Sequence, residues 1–276
     1  MITRPIPRKR GARPDEFARD HLEGAGAPVI VTDAIDAWPA RTEWTFGALG
    51  ARYGNDLVSV STGLMSTAAK VTKLSAFIEH LVDPARELQG FWVDRVDGAP
   101  TEAPHQPGPF YLIDWNAFEL HPELFDAIRP APCFVDDWEL ALNAPLRQVF
   151  ENASGHETTS LYIGAPGALS PLHDDYWQTH AWLAQVQGSK EVALFAAADS
   201  HLLERGCVDP LRRDAPNLAG VSAWVGTIGP GDVLFIPARW WHWVRSLDST
   251  ITVSHNFFNR TNVNEHLAEL LRHLPR

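Results

Sequence analysis

The residues with the clearest chemistry are His173 and Asp175, two positions apart in Ser170-Pro-Leu-His173-Asp-Asp175. A third is His242, far along the chain in Gly231-Asp-Val-Leu-Phe-Ile-Pro-Ala-Arg-Trp-Trp-His242. In an extended strand, side chains at i and i+2 leave the same face. His173 and Asp175 therefore address one place, and Asp174 points away from it. Two imidazoles and one carboxylate on one side of a metal ion leave its other side open. That facial set suits non-haem Fe(II); imidazole and carboxylate also suit zinc or manganese, so ligand type alone leaves the metal open. A lone His-x-Asp pair occurs by chance, so the argument needs elements that bring the third ligand to the other two.

Those elements are short strands. From Thr159 the chain is dense in β-branched and aromatic runs, over 159–163, 172–177, 180–187, 190–195, 232–236, 242–245 and 250–257. Glycine and proline punctuate them, a pattern that predicts a barrel or sandwich. Gly188-Ser189 reads as a two-residue hairpin turn between two of these strands. A polar, proline-bearing insertion over 196–223 is placed to cover a site mouth. Upstream, strands are expected over 28–32, 57–61, 91–93 and 110–114, and helices over 15–22, 47–53 and from His121 with Pro122 in its first turn. The clearest helix is 74–81, where Leu74, Phe77, Ile78 and Leu81 share one face. The segment 136–150 carries no readable period.

The chain ends in a helix with a clear start. Asn262 caps it, with Glu265 three residues later. Val263, Leu267, Leu270, Leu271 and Leu274 then form one apolar stripe. The stripe packs either on the barrel or on the same helix of a second copy.

The length of 276 residues, with 45% hydrophobic and 21% charged, is that of one large globular domain. A net charge of −11 argues against nucleic acid, whose phosphates need a basic face. Cys133 and Cys207 are too few for a disulfide framework or a zinc-finger set and fit a reducing cytoplasm. No apolar run is long enough to span a membrane. The basic start, with Arg8-Lys-Arg10, lacks the apolar stretch of a secretory leader. Its prolines and charges predict a flexible tail over 1–14.

Several segments together resemble the JmjC, or cupin-like, 2-oxoglutarate dioxygenases. They are Leu161-Tyr-Ile-Gly-Ala-Pro-Gly-Ala-Leu-Ser-Pro-Leu-His173, Gln185-Val-Gln-Gly-Ser-Lys190, Gly229-Pro-Gly-Asp-Val-Leu-Phe-Ile-Pro237, Trp240-Trp-His242 and Ile251-Thr-Val-Ser-His-Asn256-Phe-Phe. Within the family they look most like the branch of the asparaginyl hydroxylase that inhibits hypoxia-inducible factor. The resemblance implies a mainly β fold with flanking helices, built on a double-stranded β-helix or jelly-roll barrel. It implies an α/β part over 15–158 that extends the barrel, a catalytic core over 159–258 and a C-terminal helix over 259–276. Relatives in that branch dimerise through C-terminal helices.

The resemblance also assigns roles. His173, Asp175 and His242 are the iron ligands. Lys190 anchors the co-substrate 2-oxoglutarate, since a buried ammonium needs a partner and a carboxylate is a natural one. Ser170 and Tyr111 stand where the family binds the same carboxylate, and Asn256 where it places an amide near the co-substrate. The stretch from Asp175 to Lys190 is two residues longer than in the asparaginyl hydroxylase, so Thr179 or Trp182 stands where the family has an asparagine. His180 either touches substrate or ends a strand; Trp177 or Phe258 lines a substrate pocket. The implied reaction uses molecular oxygen and hydroxylates a carbon of an amino-acid side chain in a protein or peptide, including a ribosomal natural-product precursor. Two alternatives stand beside it: a small-molecule or free amino-acid hydroxylase, and a metal-binding cupin module without redox activity. N-methyl-lysine demethylation uses the same chemistry but is disfavoured, since no chromatin-reading module or basic surface is evident in the sequence.

Overall fold

Strands that are apolar on both faces must be covered on both, and this chain meets that need by stacking two sheets and packing helices outside them. The computed structural model describes residues 1–104, 108–128, 132–134, 136–142, 145, 158–211, 218 and 220–273. In the N-terminal part the strands are β1 (Ile2–Pro5), β2 (Arg8–Lys9), β3 (Val29–Val31), β4 (Leu57–Ser61), β5 (Ala68–Lys73), β6 (Phe91–Asp94) and β7 (Tyr111–Leu112). The later strands are β8 (Thr159–Gly164), β9 (Leu169–His173), β10 (His180–Gln187), β11 (Lys190–Phe195), β12 (Ser222–Ile228), β13 (Val233–Ile236), β14 (Trp241–Ser246) and β15 (Thr250–Phe257).

One sheet has the order β1-β12-β11-β14-β9, and the other β2-β3-β13-β10-β15-β8-β7-β4-β5-β6. The last eight strands form the jelly roll: β12-β11-β14-β9 faces β13-β10-β15-β8. Inside it lie Ala181, Leu183, Val192, Leu194, Leu234 and Val244. The alternate residues of β10 and β15, such as Trp182, Ala184, Val253 and Phe257, face outward into a larger core with the N-terminal helices. The helix Leu74–Val82 buries Leu74, Phe77, Ile78 and Leu81, the four residues its period selects.

Three expectations are corrected. The first concerns Gly188-Ser189, which does not close a hairpin. β10 pairs with β13 and β15, while β11 pairs with β12 and β14. The two residues form a corner that carries the chain from one sheet to the other. Gly188 is required there: its φ is +69°, and a Cβ would lie 2.2 Å from the Ser249 carbonyl oxygen.

The second concerns residues 1–14, which are not a flexible tail. β1 runs parallel to β12 and β2 parallel to β3. Ile6 is buried in the barrel core. Arg8 grips Asp232 at 2.7 and 2.8 Å, and Lys9 pairs with Asp20 at 2.7 Å. The basic cluster thus folds against acidic groups far along the chain, which no local pattern reveals.

The third concerns 172–177. The strand ends at His173, and Tyr176–Gln178 form a 3-10 turn with Trp177 and Gln178 at positive φ. This turn lies in the connection between Asp175 and Lys190.

The helix Val263–His273 packs on that turn. Asn262 donates to the Gln178 carbonyl at 2.8 Å, and His266 Nδ1 donates to the Trp177 carbonyl at 2.6 Å. Leu270 is buried, whereas Leu267 and Leu271 are exposed, so the stripe packs only in part on its own chain. Leu274 lies outside the described residues. No helix among the described residues is long and apolar enough to cross a membrane.

Candidate metal centre

β9 and β14 are antiparallel neighbours, with His173 opposite His242 and Ser170 opposite Val244. Three residues of β9 thus span what two of β14 span, a bulge at Pro171-Leu172. In a regular strand, Ser170 and His173 would face opposite sides. The bulge turns both inward.

The two rings lie 4.1 Å apart, centroid to centroid. His173 Nδ1 donates to the Pro171 carbonyl at 2.6 Å, and His242 Nδ1 donates to the Trp240 carbonyl at 3.3 Å. A carbonyl only accepts, so each ring carries its proton on Nδ1 and leaves the Nε2 lone pair for a metal. Those Nε2 atoms lie 3.9 and 3.7 Å from Asp175 Oδ1. One ligand atom from each residue lies within 4.8 Å of the others. Burial, with His242 alongside, lowers the His173 pKa to about 3, so its ring is neutral at physiological pH. Two imidazoles and one carboxylate fit a divalent ion such as Fe(II). Asp174 is outside the ligand set and pairs with Arg205 at the edge of the site.

A second cluster lies deeper in the same barrel. Lys190 opens β11 with 1% of its surface exposed. Lys190 and Leu194 share a face, and Leu194 sits opposite His242. The lysine is therefore on the His242 side of the sheet, about 13 Å further along at ~3.3 Å per residue. Its Nζ donates to the Tyr111 hydroxyl at 3.1 Å, and the buried Ser170 side chain lies near the same phenol. Burial lowers the Lys190 pKa to about 7. An ammonium in so dry a place awaits an anion.

A cavity of about 420 Å³ opens on the metal centre, lined by His173, Asp175, Thr179, Tyr162, Trp177 and Asn256. Its rim includes Arg95 and Asp114, paired at 2.6 Å, and the Asp174–Arg205 pair. Arg95 also donates to the Leu64 and Ser66 carbonyls at 2.8 and 3.0 Å and so fixes the loop beside the opening.

Structure thus brings together His173, Asp175, His242, Thr179 and Asn256, and groups Lys190, Tyr111 and Ser170 behind them. Of the two residues expected at the asparagine position, Thr179 meets the cavity. Trp182 is buried on the outer face against Trp38, with ring centroids 5.9 Å apart. His180 is on that outer face too; its Nδ1 accepts from the Ala238 amide at 3.0 Å and its Nε2 meets the Thr261 hydroxyl at 2.9 Å. It opens β10 and does not line the cavity at the metal centre. Trp177 lines the cavity, while Phe258 is buried and stacks on His266. Sequence reasoning missed Arg95, Arg205, Tyr162 and His266. Alternation along β8 could have found Tyr162, which shares a face with Ser160. Nothing local marks the others.

The profile of the family described as "Cupin-like domain" matches residues 14–263. The chain belongs to this cupin-like family. Relatives with curated names run along most of it. "Arginine-specific demethylase JMJ20" of Arabidopsis thaliana is 25% identical over 266 residues, covering 90% of this chain and 55% of the relative. "Lysine-specific demethylase 8" of Xenopus tropicalis is 28% identical, covering 87% and 50%. "2-oxoglutarate and iron-dependent oxygenase JMJD4" of Gallus gallus is 25% identical, covering 90% and 58%. This chain therefore spans about half the length of the curated relatives it matches.

Proposed function

We propose that this chain is an Fe(II)- and 2-oxoglutarate-dependent oxygenase that hydroxylates a carbon of an amino-acid side chain in a protein or peptide. The observation that carries the reading is one barrel holding two separate devices: an open three-ligand metal centre, and a buried ammonium deeper on the same inner side. A metal-binding module without redox chemistry would have no use for Lys190. Relatives named as 2-oxoglutarate and iron-dependent oxygenases support it.

The bound iron would supply the oxidation, with 2-oxoglutarate going to succinate and carbon dioxide as one oxygen atom enters a substrate C–H bond. The chain's own part is to hold and orient. His173, His242 and Asp175 hold the ion by one side. Lys190, Tyr111 and Ser170 receive the far carboxylate of the co-substrate. Tyr162 and Trp177 wall the cavity against water and bear on the substrate carbon.

A polypeptide fits the surroundings better than a free amino acid. The metal cavity shares Met65 with a second depression of about 530 Å³, lined by Thr62, Thr67, Thr101, Glu102 and Pro171. A side chain would enter the first space while its backbone runs over Met65 into the second. Relatives named for arginine- and lysine-specific demethylation support an amino-acid side chain as the target.

The test is succinate release by the iron-loaded chain with 2-oxoglutarate and oxygen, together with a mass gain of one oxygen on candidate polypeptides. Release stimulated by amino acids but by no polypeptide would favour the small-molecule alternative. No succinate from metal-loaded protein under any condition would leave the non-redox module standing.

A further inference from the structure

The Asp175 carboxylate has two oxygens in different surroundings. Oδ1 faces both Nε2 atoms, at 3.9 and 3.7 Å. Oδ2 accepts from Asn256 Nδ2 at 3.1 Å. The same nitrogen donates its second proton to Thr179 Oγ1 at 3.0 Å. An ionised carboxylate only accepts, so the nitrogen end of the amide must face it, and both N–H groups are committed.

We infer that Asn256 is a positioning residue for the metal ligand Asp175, holding Oδ2 so that Oδ1 alone is presented to the ion. This rests on the metal-centre reading above. It adds a second role to the sequence-based expectation that Asn256 lies near the co-substrate.

The fold explains why such a holder is needed. His173 and His242 sit on paired strands, which fix their rings. Asp175 has left the sheet and leads into the 3-10 turn Tyr176–Gln178. Its backbone therefore has no ladder to hold it. Asn256 comes from β15, opposite Ala181 on the facing sheet, and is rigidly placed there. Its amide ties the free ligand to a fixed strand, and Thr179, just before β10, keeps the amide from rotating. A carboxylate left to swing could offer both oxygens to the ion and take a coordination position that the facial arrangement leaves open. Partners that orient a ligand in this way matter to metal affinity by ~10–100-fold.

The experiment uses the full chain, stripped of metal and titrated with Mn(II), which is not oxidised under these conditions. Free Mn(II) is read by its paramagnetic resonance signal; 2-oxoglutarate is then titrated onto the Mn(II)-loaded protein. Asn256→Ala and the near-isosteric Asn256→Leu are expected to weaken Mn(II) binding ~10–100-fold. Asn256→Gln, which keeps the donor, should restore part of the loss. Thr179→Val frees the amide to rotate and should weaken Mn(II) binding in the same direction by a smaller factor. Circular dichroism checks that each variant is folded; should both Asn256 variants unfold, Thr179→Val decides alone. The inference is overturned by Asn256 variants that bind Mn(II) as the parent does, whether or not they lose 2-oxoglutarate affinity. A parent chain that fails to bind Mn(II) would instead remove the metal centre itself.

Discussion

The Lys190 ammonium lies 3.1 Å from the Tyr111 hydroxyl, though 79 residues separate them in the chain. Ser170, three residues before His173, is buried near the same phenol. A corner between two sheets, an N-terminal extension strand and a bulged strand thus meet at one polar spot inside an apolar barrel. Three donors converge where a carboxylate would enter.

Replacing Lys190 with alanine should therefore weaken 2-oxoglutarate binding by about 1.5–3 kcal/mol, or roughly ten- to a hundredfold. Metal affinity should stay within a few-fold of the parent, because Lys190 is not a ligand. Calorimetric titrations, of metal onto stripped protein and of 2-oxoglutarate onto metal-loaded protein, measure the two affinities. Equal affinities in parent and variant would mean that the carboxylate binds elsewhere.

The same lysine predicts a pH dependence. Burial holds the free Lys190 pKa at about 7, and a bound carboxylate favours the charged form. Below about 7 the ammonium is already present and this term is flat. Above it, binding must take up a proton, and affinity should fall toward tenfold per pH unit until the pKa of the complex is reached. In Lys190→Arg the guanidinium stays charged, so this slope should disappear. Titrations in buffers of different ionisation enthalpy would count the proton.

His242→Ala should abolish tight metal binding while the barrel stays folded. The remaining His173 and Asp175 offer two ligand atoms, and the Trp240 carbonyl that oriented the lost ring cannot replace it. Metal titration of the stripped variant is the measurement. Parent-like affinity would move the centre away from this triad.

His266→Phe should leave metal binding intact and disturb the turn that carries Trp177. The ring would still stack on Phe258, now 4.6 Å away and 16° from parallel. The Trp177 carbonyl would lose its buried donor, at a cost of about 1–3 kcal/mol. The expected signature is a lower melting temperature and a raised KM for the polypeptide, with unchanged metal affinity. An unchanged melting temperature would show that Asn262 pins the turn alone.

Deleting residues 1–9 should destabilise the chain. It removes β1 and β2, leaves Asp232 without Arg8, and exposes the space filled by Ile6, whose burial alone contributes about 2 kcal/mol. A melting temperature within a degree of the parent would return these residues to the status of a tail.

The sequence by itself determined the strands and the chemistry that belongs to them. His180–Gln187, Lys190–Phe195 and Thr250–Phe257 are legible because period-two patterning and glycine turns are local. His173 and Asp175 are legible as a pair because their spacing is local too. The tertiary structure decided everything that depends on which strand lies beside which. It turned the expected hairpin at Gly188 into a corner between sheets. The bulge in β9 put Ser170 and His173 on one side despite their odd spacing. Only the packing of distant segments drew Arg8 onto Asp232, Arg205 onto Asp174 and Asn256 onto Asp175. Polar contacts of this kind leave no periodic trace, because a single hydrogen bond needs one side chain at one place and no repeat along the chain.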